Sequence, residues 1–266
     1  GIVFKDKKNG IIIDGGDAAL LENLDLLPFA DFSDFRLDSY REKMLPVLIG
    51  RGCVKQCVFC SEWVRFKRYR HRSAKNVFEE IKCQKEKHPF IEQFYFNDSL
   101  VNADMDVLKE FCLLLAGSGM RIKWCGQAVV REEMDLDFLK RMKETGCQWL
   151  SYGVESGSNA ILKRMRKNFS VELCNRVIRE TREAGMDESF NIIVGFPGES
   201  ETEFNETAQF VKNNLEFVNM VTLNPLYLSR EMDINSKKWD IKFSDTTKGE
   251  DEWYTRDGTS TPEIRK

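Results

Sequence analysis

The sequence predicts an α/β fold, an open partial (β/α)6 TIM-like barrel with a short N-terminal hairpin and linker and an irregular C-terminal tail. Three observations carry this. Six short apolar runs recur across residues 45–226, helix-period segments separate them, and the stretches outside that window lack the rhythm. Strands that alternate with helices pair in parallel through right-handed crossovers. Six strands are too few to close an eight-stranded barrel, so the sheet is expected to stay open. The expected organisation is residues 1–44 as a segment or linker from an upstream domain, 45–226 as the barrel, and 227–266 as the tail.

Residues 1–14 alternate apolar and polar around Lys8-Asn9-Gly10, the pattern of a hairpin turn between two short strands. Asp14-Gly15-Gly16-Asp17 reads as a loop, and residues 27–40 as a linker with scattered aromatics. Barrel strands are expected at 46–50, 91–96, 121–126, 148–153, 188–194 and 217–223. Ser73 caps a helix carrying Val77, Phe78 and Ile81. Residues 104–116 place Leu108, Phe111, Cys112 and Leu115 on one helical face, ending near Gly117. Residues 135–145 present Phe138, Leu139 and Met142, and Gly146 suits the left-handed position past the helix end. A longer helical stretch, broken near 168–170, ends at Ala184-Gly185. Ser200-Glu201-Thr202-Glu203 fits a capping box that opens a helix to about Asn214. After Pro225 the periodicity fades, leaving Trp239, Trp253 and Tyr254 as anchors of a tail that drapes over the domain or belongs to another part.

The 266 residues balance 40 Lys plus Arg against 43 Asp plus Glu, a net charge of −3, which excludes a globally basic nucleic-acid binder. No apolar run, not even 111–116, is long enough to cross a bilayer. Eight Cys stand against two His, which argues against His-rich zinc and two-His iron sites and predicts metal chemistry that runs mainly on thiolates. Cys83, Cys112, Cys125, Cys147 and Cys174 are isolated and read as core fillers. That scatter, with no basic-then-apolar leader, leads us to expect a reducing cytoplasm. A start at Gly1 without Met leads us to expect a tag remnant or a fragment of a longer chain.

Cys53, Cys57 and Cys60 follow the first barrel strand at C-x3-C-x2-C spacing, in the loop where a barrel site lies. A structural zinc needs a fourth ligand, and the nearest downstream ones are the distant His71 and Cys83. Three thiolates on a four-iron cluster would instead leave one iron open for a ligand. A zinc site using His71, or a non-catalytic iron–sulfur or zinc module, stays open as an alternative.

With Phe59 just before its last cysteine, the segment Cys53-x3-Cys57-Val58-Phe59-Cys60 resembles the cluster motif of the radical S-adenosylmethionine superfamily. The resemblance implies an oxygen-sensitive enzyme with a [4Fe–4S] cluster on the three cysteines. It also implies S-adenosylmethionine chelated to the open iron, and a low-potential electron donor of flavodoxin or ferredoxin type. One-electron cleavage of the sulfonium then yields methionine and a 5′-deoxyadenosyl radical that activates a substrate the sequence does not name. Phe94-Tyr95-Phe96-Asn97-Asp98-Ser99 stands where the family has a Gly-Gly-Glu motif; the glycines are absent, and only Asn97 and Asp98 are carried over to the methionine amino group. Tyr152-Gly153-Val154-Glu155-Ser156-Gly157-Ser158 is similar to the family's Gly-Val-Glu-Ser-Gly segment, which implies cofactor contacts for Glu155, at the ribose hydroxyls, and for Ser156. Leu162-Lys163-Arg164-Met165-Arg166-Lys167 resembles a stretch whose last basic residue pairs with the methionine carboxylate; this implies Lys167, with Arg164 or Arg166 as substitutes. Ile193-Val194-Gly195-Phe196-Pro197-Gly198-Glu199 resembles the adenine-side motif, where bare backbone at Gly195 admits a planar base and Val194 packs on its face. Gln127 and Arg131 stand where they can line the pocket, without an assigned role.

Residues 1–40 also resemble the connector that follows a cobalamin-binding domain in one branch of the family, which implies cobalamin in the full-length protein and methylation or rearrangement chemistry. An RNA-modifying or methylthio-transferring member is the alternative. It is favoured only by the run Arg65-Phe66-Lys67-Arg68-Tyr69-Arg70-His71-Arg72, which reads first as a solvated loop before a helix.

Overall fold

The computed structural model describes residues 2–16, 18–228, 239–243, 253–258 and 260–261. Strands β1 (Val3–Lys5) and β2 (Ile12–Asp14) pair antiparallel about the expected turn. Next come β3 (Met44–Val47), the short β4 (Gly50–Arg51), α1 (Glu62–Phe66), β5 (Arg70–His71) and α2 (Ala74–Lys87). They are followed by β6 (Gln93–Phe96), α3 (Met105–Ser118), β7 (Lys123–Ala128), α4 (Leu136–Glu144) and β8 (Cys147–Glu155). The remaining elements are α5 (Asn159–Met165), α6 (Val171–Glu183), β9 (Asp187–Val194), α7 (Glu201–Asn214), β10 (Met220–Pro225), β11 (Ile241–Phe243) and β12 (Trp253–Thr255).

Six strands form one sheet in the order β10-β9-β8-β7-β6-β3, every neighbouring pair parallel. Spatial order follows chain order, so each helical crossover advances the sheet by one strand, as a partial barrel requires. The hydrogen-bonded ladder ends at β3 and β10. A continuous core fills the space between sheet and helices, centred on the edge-to-face rings of Phe96, Phe111 and Trp124.

Local chemistry sets the element ends. Ser73 Oγ accepts the Asn76 N–H at the start of α2, and Ser200 and Glu203 complete the capping box of α7. Gly146 holds φ 97°, and a Cβ there would lie 1.9 Å from the Ile122 carbonyl oxygen, so this turn into β8 admits only glycine. Helix α3 runs past Gly117 and ends with Gly119 in the left-handed conformation. An Asp104 N-cap and uninterrupted apolar packing outweigh the propensity cost of Gly117. Strand β3 stops at Val47, short of the expected Gly50, because the N–H groups of Ile49 and Gly50 turn to the Asp98 carboxylate.

In the C-terminal stretch, β11 and β12 pair antiparallel. Their Ile241 and Trp253 join Ile161, Met165, Ile193, Phe196, Leu226 and Leu228 in a second apolar cluster. Trp239 lies edge-on against Phe196, whereas Tyr254 is exposed. The rest of the expected tail, including 229–238 and 244–252, lies outside the described residues. Among the described residues no helix is long and apolar enough to cross a membrane.

Candidate active site

The cysteine loop leaves the carboxyl end of β3 and is pinned along its length. Asp98 receives the Gly50 N–H at 2.6 Å, and β4 pairs with β5. Gly52 sits at φ 85°, where a Cβ would come within 2.8 Å of the Arg68 carbonyl oxygen. Past Cys57, the Val58 N–H donates to the Met165 carbonyl at the end of α5, at 3.2 Å. Trp63 Nε1 donates to the Cys57 carbonyl, also at 3.2 Å. These bonds present the thiols of Cys53, Cys57 and Cys60 to one cavity of about 420 Å³. Its other walls include Phe59 of the cysteine loop itself and Asn97, Gln127, Glu155, Lys167 and Asn191, drawn from the carboxyl-terminal halves or ends of several parallel strands and the turn after α5.

All three cysteines are free. Burial pushes the Cys60 thiol up to about 11 and raises Cys57 and Cys53, while Lys167 and Lys55 pull Cys57 back toward the thiolate. Among the described residues no three His, Cys, Asp or Glu side chains converge on a single metal-ion position. Three soft sulfur donors lining a cavity, rather than meeting at a point, fit an iron–sulfur cluster better than a lone zinc. His71, the fourth ligand of the zinc alternative, stacks on Tyr69 and is absent from the cavity wall.

Facing the thiols, Glu155 and Lys167 form an ion pair of 3.3 Å with side chains only 13% and 7% exposed. Glu155 ends β8 at φ 76°, and Lys167 sits between the left-handed Arg166 and Asn168, φ 60° and 54°. These are costly conformations for residues other than glycine, held by the surrounding structure. The Lys167 ammonium also lies 5.7 Å from the Phe59 ring centre and 5.6 Å from that of Phe169.

The structure distributes the sequence-predicted residues unevenly. Cys53, Cys57, Cys60, Phe59, Asn97, Asp98, Glu155 and Lys167 all line the cavity. Asp98, however, spends its carboxylate on the Ile49 and Gly50 N–H groups, and burial pushes it up to about 7. Ser156 is fully buried and turned away, bonded to Thr207 Oγ1 at 3.0 Å. Val194 and Gly195 are not part of the cavity wall; the Gly195 N–H donates to Glu199, and its carbonyl accepts from Ser260 Oγ at 3.0 Å. Of the three basic candidates at the end of α5 and just beyond it only Lys167 reaches the cavity, since Arg164 holds Gly198 and Glu203 and Arg166 is exposed. Arg131 donates to the Asn102 and Ala103 carbonyls.

Lys55, Asn191 and Phe169 were missed by the sequence reading. Asn191 had a usable signal: two-residue alternation along β9 puts it on the same face as Ser189, whose hydroxyl meets Ser151 of β8 inside the barrel. Phe169 had none, because its approach to Lys167 depends on the turn between α5 and α6.

The family model of the Radical SAM superfamily matches residues 47–211. An uncharacterized methyltransferase of Pyrococcus horikoshii is 28% identical over 210 residues, covering 77% of this chain and 45% of that protein. The cytidylyl-2-hydroxyethylphosphonate methyltransferase of Streptomyces wedmorensis is 27% identical over 191 residues, covering 65% and 35%. This chain therefore spans less than half the length of these curated relatives. Among solved structures, the radical S-adenosylmethionine methyltransferase TsrM of Kitasatospora setae, with cobalamin and a [4Fe–4S] cluster bound, superposes with a TM-score of 0.65 at 16% identity, covering 77% of this chain and 42% of that one. The cobalamin-dependent S-adenosylmethionine radical enzyme OxsB gives 0.65 at 19% identity, covering 79% and 32%. At these identities the likeness shows the fold, the one built above from strand order. A [4Fe–4S] cluster and S-adenosylmethionine are the cofactors of the matched family, and its members are enzymes. The chain belongs to the Radical SAM superfamily.

Proposed function

We propose that Cys53, Cys57 and Cys60 hold the [4Fe–4S] cluster, that S-adenosylmethionine binds in the cavity beside it, and that the reaction is a methyl transfer using cobalamin carried by another part of a longer protein. One observation carries the reading: three cysteine thiols and the buried Glu155–Lys167 pair line the same cavity at the carboxyl ends of the parallel strands. When bound, the reduced cluster supplies one electron to the sulfonium of S-adenosylmethionine. The chain's own residues bind and orient. Lys167 takes the methionine carboxylate, Asn97 the amino group, Glu155 the ribose hydroxyls, and Phe59 walls the site against water. Asp98 acts at one remove, by fixing the loop that carries the cysteines.

Methyl transfer is supported by the methyltransferase names of the two curated relatives described above, by the cobalamin bound in TsrM and by the cobalamin dependence named for OxsB. The matching division is residues 1–44 as connector, 45–226 as barrel and 227–266 as a C-terminal tail. An electron donor of flavodoxin or ferredoxin type completes the system. An RNA partner would meet a basic run that is only partly engaged: Arg68 pairs with Glu22, Arg70 donates to the Leu21 carbonyl and Arg72 is buried against Glu80, while Arg65 and Lys67 stay exposed. The test is anaerobic reconstitution with iron and sulfide. The wild-type chain should acquire four-iron absorbance and Cys57→Ala should not; retained absorbance in that variant would overturn the ligand assignment.

A further inference from the structure

Among the described residues, the polar partner of the Lys167 ammonium is Glu155, and the partner of the Glu155 carboxylate is Lys167. Both sit inside the cavity wall, not behind it. Gly153 makes room for them: a Cβ there would lie 2.8 Å from Glu155 Oε1 and 3.5 Å from Lys167 Nζ. The two groups assigned above to opposite ends of one ligand are thus bonded to each other in the ligand-free chain.

We propose that this pair is an internal stand-in for the ligand, so that binding is an ion-pair exchange coupling a carboxylate subsite to a vicinal-diol subsite. The inference rests on the reading of the cavity as the S-adenosylmethionine site. Removing one partner of a buried pair leaves the other charge uncompensated, which is strongly unfavourable. A ligand carboxylate that takes Lys167 from Glu155 leaves that carboxylate alone. A diol that takes Glu155 from Lys167 leaves the ammonium alone. A molecule with both groups satisfies both at once, its carboxylate neutralising Lys167 and its hydroxyls donating to Glu155. The Phe59 and Phe169 rings keep the Lys167 ammonium in place while its anionic partner changes. Once the first group has broken the pair, the second meets a receptor already released. The coupling is positive and, by linkage, reciprocal.

The test uses the cluster-loaded protein and two probes, L-methionine and 5′-deoxyadenosine, measured by equilibrium dialysis. In the wild-type protein, saturating L-methionine should tighten 5′-deoxyadenosine binding, and the reverse, by a common factor of roughly tenfold, within the range usual for coupled sites. Glu155→Gln should bind L-methionine more tightly than wild type and lose the synergy. Independent binding of the two probes in a wild-type protein that does bind S-adenosylmethionine would overturn the exchange while leaving the site assignment standing. So would unchanged L-methionine affinity in Glu155→Gln. A loaded wild-type protein that binds neither S-adenosylmethionine nor either probe would overturn the site assignment, and the exchange with it. The synergy measurement needs no variant, so misfolding of Glu155→Gln cannot rescue the proposal.

Discussion

Removing the Asp98 carboxylate tests the claim that this residue anchors the cysteine loop. Its oxygens accept the Ile49 N–H at 3.0 and 3.1 Å and the Gly50 N–H at 2.6 Å, and the residue is only 5% exposed. Asp98→Ala strands both buried donors, at about 1–3 kcal/mol each, so the loss should be about 3 kcal/mol in all. Asp98→Asn keeps an acceptor oxygen and should lose about 1 kcal/mol. Urea denaturation of the metal-free chain, with the slope held comparable, measures both. The pH profile supplies a second reading. Burial raises Asp98 from 3.8 to about 7, so the folded state holds a proton that the unfolded state has released across that window. Stability tied to this group is therefore greatest below pH 3.8 and falls as pH rises toward 7, and Asp98→Asn removes that part of the slope. An Asp98→Ala chain within about 0.5 kcal/mol of wild type, or an Asn variant as unstable as the Ala one, would refute the anchoring argument.

Three further outcomes follow from other parts of the chain. Glu188 on β9 is fully buried, and neither carboxylate oxygen has a hydrogen-bond partner among the described residues. Burial raises its pKa from 4.5 to about 9, so its contribution favours the fold below pH 4.5 and is lost as pH rises toward 9. Glu188→Gln should flatten that decline in thermal melts between pH 5 and about 9, and an unchanged slope would show that the carboxyl is not the source. Gly146→Ala should lower stability by at least about 2 kcal/mol, since it adds a left-handed alanine to a clash with the Ile122 carbonyl; a melt within a degree or two of wild type would contradict this. Cys57→Ala should leave the far-ultraviolet circular dichroism of the metal-free chain unchanged, because it removes one small buried sulfur; loss of the fold would make Cys57 a core residue first.

The sheet was legible because each strand and each helix carries its own period, and caps such as Ser73 and Ser200 mark the boundaries chemically. The cysteine spacing was legible for a similar reason: ligands within one loop are a local pattern. What escaped is long-range. Nothing near Asp98 in sequence reveals that its carboxylate faces the N–H groups of Ile49 and Gly50, so a polar residue after a strand read as a ligand contact. Ser156 and Thr207 meet only once α7 packs beside β8. The C-terminal hairpin was obscure because its partners, Ile161, Met165 and Phe196, belong to other segments, and its own strands are three residues each. The partial engagement of the basic run was hidden because the acids and carbonyls that Arg68, Arg70 and Arg72 meet, on Glu22, Leu21 and Glu80, come from the N-terminal segment and α2.

The proposed function requires that S-adenosylmethionine bind at the cluster carried by Cys53, Cys57 and Cys60. The most direct measurement is electron paramagnetic resonance of the reduced, reconstituted chain with and without S-adenosylmethionine, in wild type and in Lys167→Met. A cluster signal that shifts on addition in the wild type, with the shift weakened or abolished by Lys167→Met, is the predicted result. A fully loaded cluster whose signal is the same with and without S-adenosylmethionine would contradict it.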